Sequence, residues 1–481
     1  MNKSYDAIIV GTGFAGAFFL MRYLERAPAT ARVLVLERGR VDSKEWQLQN
    51  RRTSSLPSEG LFINRTPEKE WATSPGFGGN SKCWWGGTTR MMPADFKLKS
   101  RHGVGIDWPL SYDDLEGYYG VVEDIMSISG PPDSPMPRSR PFPLPPHRFS
   151  DPDALLKKAF PDSWFHPATA RASAATGQRG VCCGSGICWL CPTDAKFTIQ
   201  NGLSHIYEDS RVTLQLEAVV QGIRTRAKVA TGVDYVHGLR DEHATADVVV
   251  LAASALFNPH ILLRSGISHP LLGKRLHEQK SVDVCVDLAG VKAYNGSTAI
   301  SGNGYLFYES AQRRQSAGCL IETWNAPFVH DLAALRSERG RQTERAYFRF
   351  VFDELPRDDN SIVVNAANPA LPEARFYGYS SYAERGAARI PMMIDKLATA
   401  LPIERIESIL PANTSSHIQG TVVMGNDPAQ SIVDRHLVHH QLSNLLVLGS
   451  SAYPTASPSY PTLTISALSL WAADHLFASK A

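Results

Sequence analysis

The feature that most constrains this chain is a glycine-rich turn set between a strand-like and a helix-like segment at its start. Residues 5–10 (YDAIIV) form a short apolar run with β-branched members, the pattern of a buried parallel strand. Gly11-Thr12-Gly13-Phe14-Ala15-Gly16 follows at once, a helical stretch runs to about Arg26, and Val33–Glu37 (VLVLE) reads as a second buried strand. In such a βαβ unit the first glycine makes the tight turn and the second lets a pyrophosphate approach the backbone. The third allows close helix–sheet packing, and the anion rests on the helix N-terminus. Glu37, ending the second strand, is placed to accept from ribose hydroxyls. Arg38 beside it faces an adenine or water. The chain is expected to bind a dinucleotide, and the fingerprint's place at the start of 481 residues leans toward FAD over NAD.

Further along, Ser111 is expected to cap a helix with Asp113, Asp114 and Glu116 in its first turn. Residues 131–149 are proline-dense and predict a packed extended connection. Residues 247–252 (DVVVLA) predict another buried strand, followed by a helical stretch from Pro259 to Arg264. Residues 280–380 alternate apolar and polar like an antiparallel sheet, and 444–475 again read strand, loop, helix. No internal repeat is visible. A βαβ start, a different middle and a return to α/β predict one domain that collects both termini around an insertion. The expected division is 1–100, 201–277 and 411–481 for the dinucleotide domain, 278–410 for the substrate domain, and 101–200 as a connecting segment.

A formal charge of +2 with no aromatic-interleaved basic stripe argues against nucleic acid as a partner. No stretch approaches the roughly 20 apolar residues that span a bilayer. The glycines interrupt the N-terminal apolar run, and no small-residue cleavage site follows. The chain by itself reads as cytoplasmic, or periplasmic when exported with a signal-bearing partner. Of its seven cysteines, Cys182, Cys183, Cys188 and Cys191 fall within ten residues, which points to metal or redox chemistry over a disulfide framework. Thiolates at this spacing, ending in Cys191-Pro192, suit an iron–sulfur cluster; tetrahedral zinc and a local disulfide are the alternatives. Cys83 reads as a small buried residue beside Trp84 and Trp85.

Three stretches carry a resemblance. Residues 78–96 (GGNSKCWWGGTTRMMPADF) look like the flavin-contacting loop of the glucose–methanol–choline (GMC) oxidoreductases. Residues 249–266 (VVLAASALFNPHILLRSG) and 417–475 resemble that family's middle and C-terminal motifs. Residues 96–119 and the cysteine block are most similar to catalytic subunits of FAD-dependent glucose dehydrogenases and related sugar and polyol dehydrogenases. The resemblance implies an α/β fold: a Rossmann-like FAD-binding domain with an inserted α+β substrate domain built on an antiparallel sheet. It implies FAD contacts from the backbone of Gly79, Asn80 and Ser81, from Val219 on the adenine side, and from Ser451, Ala452, Pro461 and Thr462 along the flavin.

Hydride removal from an alcohol leaves a proton that needs a base near neutral pKa, a role suited to histidine. His417 matches the family's catalytic histidine. The second catalytic position, usually His or Asn, falls on Tyr460, whose phenol donates a hydrogen bond but is bulkier, so glucose does not carry over as the substrate. The resemblance implies a 3Fe-4S cluster on Cys182, Cys183, Cys188 and Cys191. Two residues separate the last two cysteines where the relatives have three, which leaves open which ligate and admits a 4Fe-4S cluster. It further implies electron transfer to an external acceptor, a cytochrome or quinone, with a small companion subunit as a further partner. An oxidase using O2 and a non-redox FAD-containing lyase are the rival readings. The family's phrase G-x-x-L-x-D-H occurs as Gly273-Lys-Arg-Leu-His-Glu-Gln279, without its final histidine, and is assigned no role.

Overall fold

Five parallel strands form the centre of the eight-stranded first sheet of the computed structural model, which describes residues 4–177, 179–326, 336 and 338–478. Residues 327–335 and 337, within the expected substrate domain, lie outside the described residues, as do 1–3, 178 and 479–481. The parallel order is Leu442–Val447, Arg240–Leu251, Ser4–Val10, Val33–Leu36, Val212–Gln215. Ile8, Ile9, Val249, Val250 and Leu445 are fully buried, as strands covered on both faces must be. Helix Phe14–Arg26 and the C-terminal helix Pro461–Ala478 join this core. Strands from the two ends of the chain thus flank Arg240–Leu251, which makes this sheet a discontinuous unit. Ala218–Arg226 and Val229–His237 extend it as an antiparallel meander.

The expected helix at Pro259 starts earlier, at Ser254, and carries the proline inside it. Proline cannot donate to the carbonyl four residues back, at Ala255. Thr421 supplies the missing partner, its Oγ1 donating to that carbonyl at 2.9 Å. A residue remote in sequence thereby permits a helix that local rules would cut short.

The alternating segment supplies four strands of a six-stranded antiparallel sheet, ordered Ile403–Pro411, Lys280–Leu288, Arg345–Phe352, Cys319–Trp324, Ile300–Phe307, Trp164–Phe165. Val282, Val284, Val286, Phe348, Phe350 and Phe352 pack into a second core with Ile394 and Leu397 from helix Ile390–Ala398. With a period of two, Ser281, Asp283, Arg349 and Val351 fall on the opposite face. Register aligns Asn303, Glu322, Arg349 and Asp283 in one polar row across four strands. Segment 101–200 is shared between both cores. Helix Tyr112–Ile125, capped by Ser111, contributes Leu115 and Val122 to the first, while Leu156 and Trp164 join the second. Among the described residues no helix is long and apolar enough to cross a membrane.

Candidate active site

Two clefts meet where the sheets adjoin, and Phe14, Thr73, Asn80, Ser254, Ser450 and Ile465 line both. The first, of ≈ 1180 Å³ including its mouth, is walled by the fingerprint turn, Glu37, Arg38, Gly79 and Val219. Its shape is set by backbone. Gly11 sits at φ +103°, and a Cβ there would lie 2.6 Å from the Ala252 carbonyl oxygen. A Cβ on Gly16 would lie 2.0 Å from the Gly11 carbonyl oxygen, whereas one on Gly13 would meet nothing within 4 Å. Gly11 and Gly16 are therefore needed for packing, and Gly13 leaves the helix N-terminus open to an anion.

Thr12 donates to Glu37 Oε2 from its amide (3.1 Å) and hydroxyl (2.7 Å), and its Oγ1 accepts from the Gly78 amide at 3.0 Å. Gly39 N donates to Glu37 Oε1 at 3.0 Å. Glu37 thus braces the turn and the 78–81 loop as well as lining the cleft. The Arg38 guanidinium lies 4.3 Å from the Phe257 ring centre, and its buried Nη1 has no partner among the described residues. An unpartnered donor on the wall fits a cofactor with acceptor atoms, as FAD has.

The second cleft, of ≈ 1450 Å³, is walled by Trp84, Trp85, Trp324, His417, Tyr460 and the polar row's Glu322 and Arg349. Pro461 and Thr462 line it as well, at the start of the C-terminal helix. His417 and Tyr460 face each other edge to face, with ring centres 5.9 Å apart. Gly87 makes room for the phenol, since a Cβ there would lie 2.7 Å from the Tyr460 ring. Asn303 Nδ2 donates to the Tyr460 hydroxyl at 3.4 Å. Burial, aided by nearby Glu322, holds that hydroxyl well above its usual pKa, so it stays protonated. Burial, with the Arg349 charge, brings His417 down to about 3. The imidazole is therefore neutral at physiological pH and able to accept a proton. Burial also raises the Glu322 carboxyl, although Arg349 opposes the shift. Ser281 adds to the same wall a buried hydroxyl without a partner among the described residues.

The His417 loop is tied down from behind. Glu278 accepts from the amides of Ser415 (3.0 Å) and His417 (3.2 Å) and pairs with buried Lys69. Gln279 Oε1 lies 3.2 Å from His417 Nδ1. Ser416, at φ +62°, holds a left-handed conformation directly before the histidine. The phrase to which the sequence assigns no role therefore carries two residues that hold this loop.

Several expected contacts fall elsewhere. Ser81 lies behind the wall, its hydroxyl donating to the Gly78 carbonyl at 2.6 Å and accepting from Ile199 N at 3.1 Å. Ser451 accepts from Asn258 Nδ2 at 2.9 Å, and Ala452 is buried in the first core; Gly449 and Ser450 reach the cleft instead. Cys83, expected as a small buried residue beside Trp84 and Trp85, is partly buried and lines the second cleft with both tryptophans. Glu322, Arg349 and Ser281 were not picked out in the sequence, though the alternation of their strands holds the signal. A cluster of Asp287, Glu338 and Glu407 lies elsewhere, cross-linked by Arg345 and Arg405 into an ion-pair network.

Of the clustered cysteines, Cys188 and Cys191 are buried, Cys182 is partly buried and Cys183 is exposed. Burial pushes the Cys188 thiol up to about 11 against the pull of Arg171. Trp189, inside this loop, lines the second cleft. Buried Lys196 joins the two regions, donating to the carbonyls of Lys82 and Trp84 at 2.8 Å each. Burial brings its ammonium down to about 8, opposed by Cys83, Cys188 and Cys191 nearby.

Comparison with known proteins agrees with this geometry. Residues 5–281 match the N-terminal GMC oxidoreductase model and 325–469 the C-terminal one. The chain is 25% identical to the fructose dehydrogenase large subunit of Gluconobacter japonicus, over 98% of this chain and 97% of that one. It is 26% identical to the 6'''-hydroxyparomomycin C oxidase of Streptomyces lividus, over 100% and 93%. The solved structure of pyridoxine 4-oxidase from Mesorbium loti superposes with a TM-score of 0.69 at 17% identity, covering 98% of this chain and 99% of that one. The chain belongs to the GMC oxidoreductase family.

Proposed function

We propose that this enzyme oxidises an alcohol group of a small polyhydroxy substrate, a sugar or polyol, with His417 as the base and electrons leaving to an external acceptor. The observation that carries the reading is the junction of the clefts. A backbone-built nucleotide cradle opens directly onto a half-buried, neutral histidine facing a phenol. Bound FAD supplies the hydride acceptor. His417 takes the hydroxyl proton, and the protonated Tyr460 phenol orients the substrate oxygen. Ser281, Glu322 and Arg349 offer hydrogen bonds to further hydroxyls, and the Trp85 and Trp324 faces suit the apolar faces of a sugar ring. The substrates for which the relatives are named, fructose and a hydroxylated aminoglycoside among them, are of this chemical kind.

Cys182, Cys183, Cys188 and Cys191 would hold an iron–sulfur cluster, 3Fe-4S in preference to 4Fe-4S, which supplies one-electron transfer outward. The dense thiolate set fits such a cluster, with tetrahedral zinc as the alternative use of the same donors. Arg171 and Lys196 offset thiolate charge, and Trp189 brings the loop to the cleft. A cytochrome or quinone, with or without a companion subunit, would take the electrons; a relative named as a large subunit supports such a partner.

The test is an iron and acid-labile sulfide assay with an EPR spectrum on anaerobically purified protein, followed by a dye-linked screen of fructose, gluconate, sorbitol, glucose and 2-methyl-1,2-propanediol. Three or four irons per chain with matching sulfide and dye reduction by a polyol support the reading. An iron-free protein that reduces O2 instead favours the oxidase reading, which the name of the Streptomyces relative also suggests.

A further inference from the structure

Taking His417 as the base, which rests on the reading above, we propose that Gln279 is a positioning residue that fixes the His417 tautomer with hydrogen on Nδ1, leaving Nε2 to accept the substrate proton.

Gln279 is fully buried, and its Nε2 donates to the carbonyl oxygens of Ser457 (3.0 Å) and Ser459 (2.9 Å). Both amide hydrogens are thereby used. A flipped amide would set its oxygen against two carbonyl oxygens, so the orientation is determined by its surroundings. Oε1 must then be the atom facing His417 Nδ1 at 3.2 Å. Ser415 Oγ (3.4 Å) and Gln419 Nε2 (3.5 Å) approach the same oxygen as donors, consistent with its being an acceptor. A carbonyl oxygen only accepts, so Nδ1 carries the hydrogen. In a neutral imidazole the other nitrogen then holds the lone pair.

The arrangement also joins the base to the opposite wall. Ser457 and Ser459, whose carbonyls hold the Gln279 amide, lie three residues and one residue before Tyr460. One side chain thus links the histidine loop to the segment that presents the phenol. Glu278, next in sequence, holds the backbone of the same loop through Ser415 and His417. Gln279 sets the proton's place on the ring, and Glu278 sets the place of the ring.

The test measures the limiting rate of flavin reduction under anaerobic conditions, using the alcohol that reduces dye fastest in the screen above. Holoenzyme of wild type, Gln279→Leu, Gln279→Glu and His417→Asn is compared. Gln279→Leu removes the acceptor and should slow reduction about 10²-fold with KM and FAD content little changed, the size expected when a base loses its tautomer control. Gln279→Glu keeps an acceptor facing Nδ1 but sets its second oxygen against the Ser457 and Ser459 carbonyls, so it should recover only part of the rate, to within about 30-fold. Its acid limb should move to higher pH, because a carboxylate beside the imidazole favours the charged ring. A purely structural role would not move that limb. Gln279→Leu within threefold of wild type overturns the inference. If that variant fails to retain FAD, the glutamate variant decides, and an unmoved acid limb then overturns it. His417→Asn separates the two claims. If it reduces flavin at the wild-type rate, the base assignment itself fails. If it collapses while Gln279→Leu does not, only the tautomer claim fails.

Discussion

The two clefts are built in different ways. The first is backbone: a glycine turn, a helix N-terminus and a carboxylate that braces them, all within residues 11–37 apart from its far walls. The second is side chain: Glu322 and Arg349 reach it from two strands of the antiparallel sheet, and His417, Tyr460 and Trp85 from three widely separated loops. Backbone-built sites tolerate little change because carbonyls and Cα atoms cannot rotate away. Side-chain-built sites can lose one group and keep their shape. A common cofactor cradle is thereby separated from a substrate cleft that can vary.

The sharpest way to break this contrast is at Gly16. Gly16→Ala places a methyl group 2.0 Å from the Gly11 carbonyl oxygen, which cannot yield without moving the strand. The expected result is protein purified without FAD and destabilised by about 3 kcal/mol or more, read from flavin content and denaturant unfolding. A variant that binds FAD normally would show the cradle to be softer than described.

Next in size is Cys188→Ser, which should leave substrate reduction of FAD within about threefold but lower turnover with a one-electron acceptor by at least about 10-fold. Equal losses in both half-reactions would place the cysteine loop in packing alone.

The pH dependence sharpens the contrast from the substrate side. Burial lowers His417 to about 3 and His147, His260, His277 and His439 to about 4 in the folded chain. The unfolded chain takes up these protons at about 6.5, where the folded chain does not. Stability is therefore full above about pH 6.5 and is lost as pH falls toward 4. Thermal unfolding at stepped pH should show a falling midpoint below 6.5, while the reduction rate shows no histidine limb near 6.5. A clear limb there would mean that His417 is more solvated than its burial indicates.

The smallest expected effect is Tyr460→Phe. It removes one hydroxyl near Asn303 and Glu322 and should slow flavin reduction about 10-fold, costing about 1 kcal/mol of stability. An unchanged rate would confine the phenol to shaping the cleft.

The contrast also explains what could be read from the sequence. Gly11, Gly13, Gly16 and Glu37 are legible because their roles follow from spacing within one βαβ unit. The alternation of residues 280–380 shows an antiparallel sheet, but not which strands are neighbours, so the row of Asn303, Glu322, Arg349 and Asp283 exists only once register is known. Helix Ser254–Arg264 escapes a local rule because Thr421, far along the chain, replaces a lost hydrogen bond. Gln279 was passed over because its phrase lacks the family's histidine, and its role depends on the carbonyls of Ser457 and Ser459. Gly449 and Ser450, and not Ser451 and Ala452, line the cleft, because a resemblance marks a loop more surely than the residue on its inner face.

The most direct test of the central claim is anaerobic flavin reduction by a polyol substrate in wild-type and His417→Asn holoenzyme, at equal FAD content. The account predicts rapid bleaching of the wild-type flavin and reduction slower by about 10³-fold in the variant, the scale of a lost general base. Equal rates in the two proteins would contradict it, and would show that the proton leaves by a route that does not involve His417.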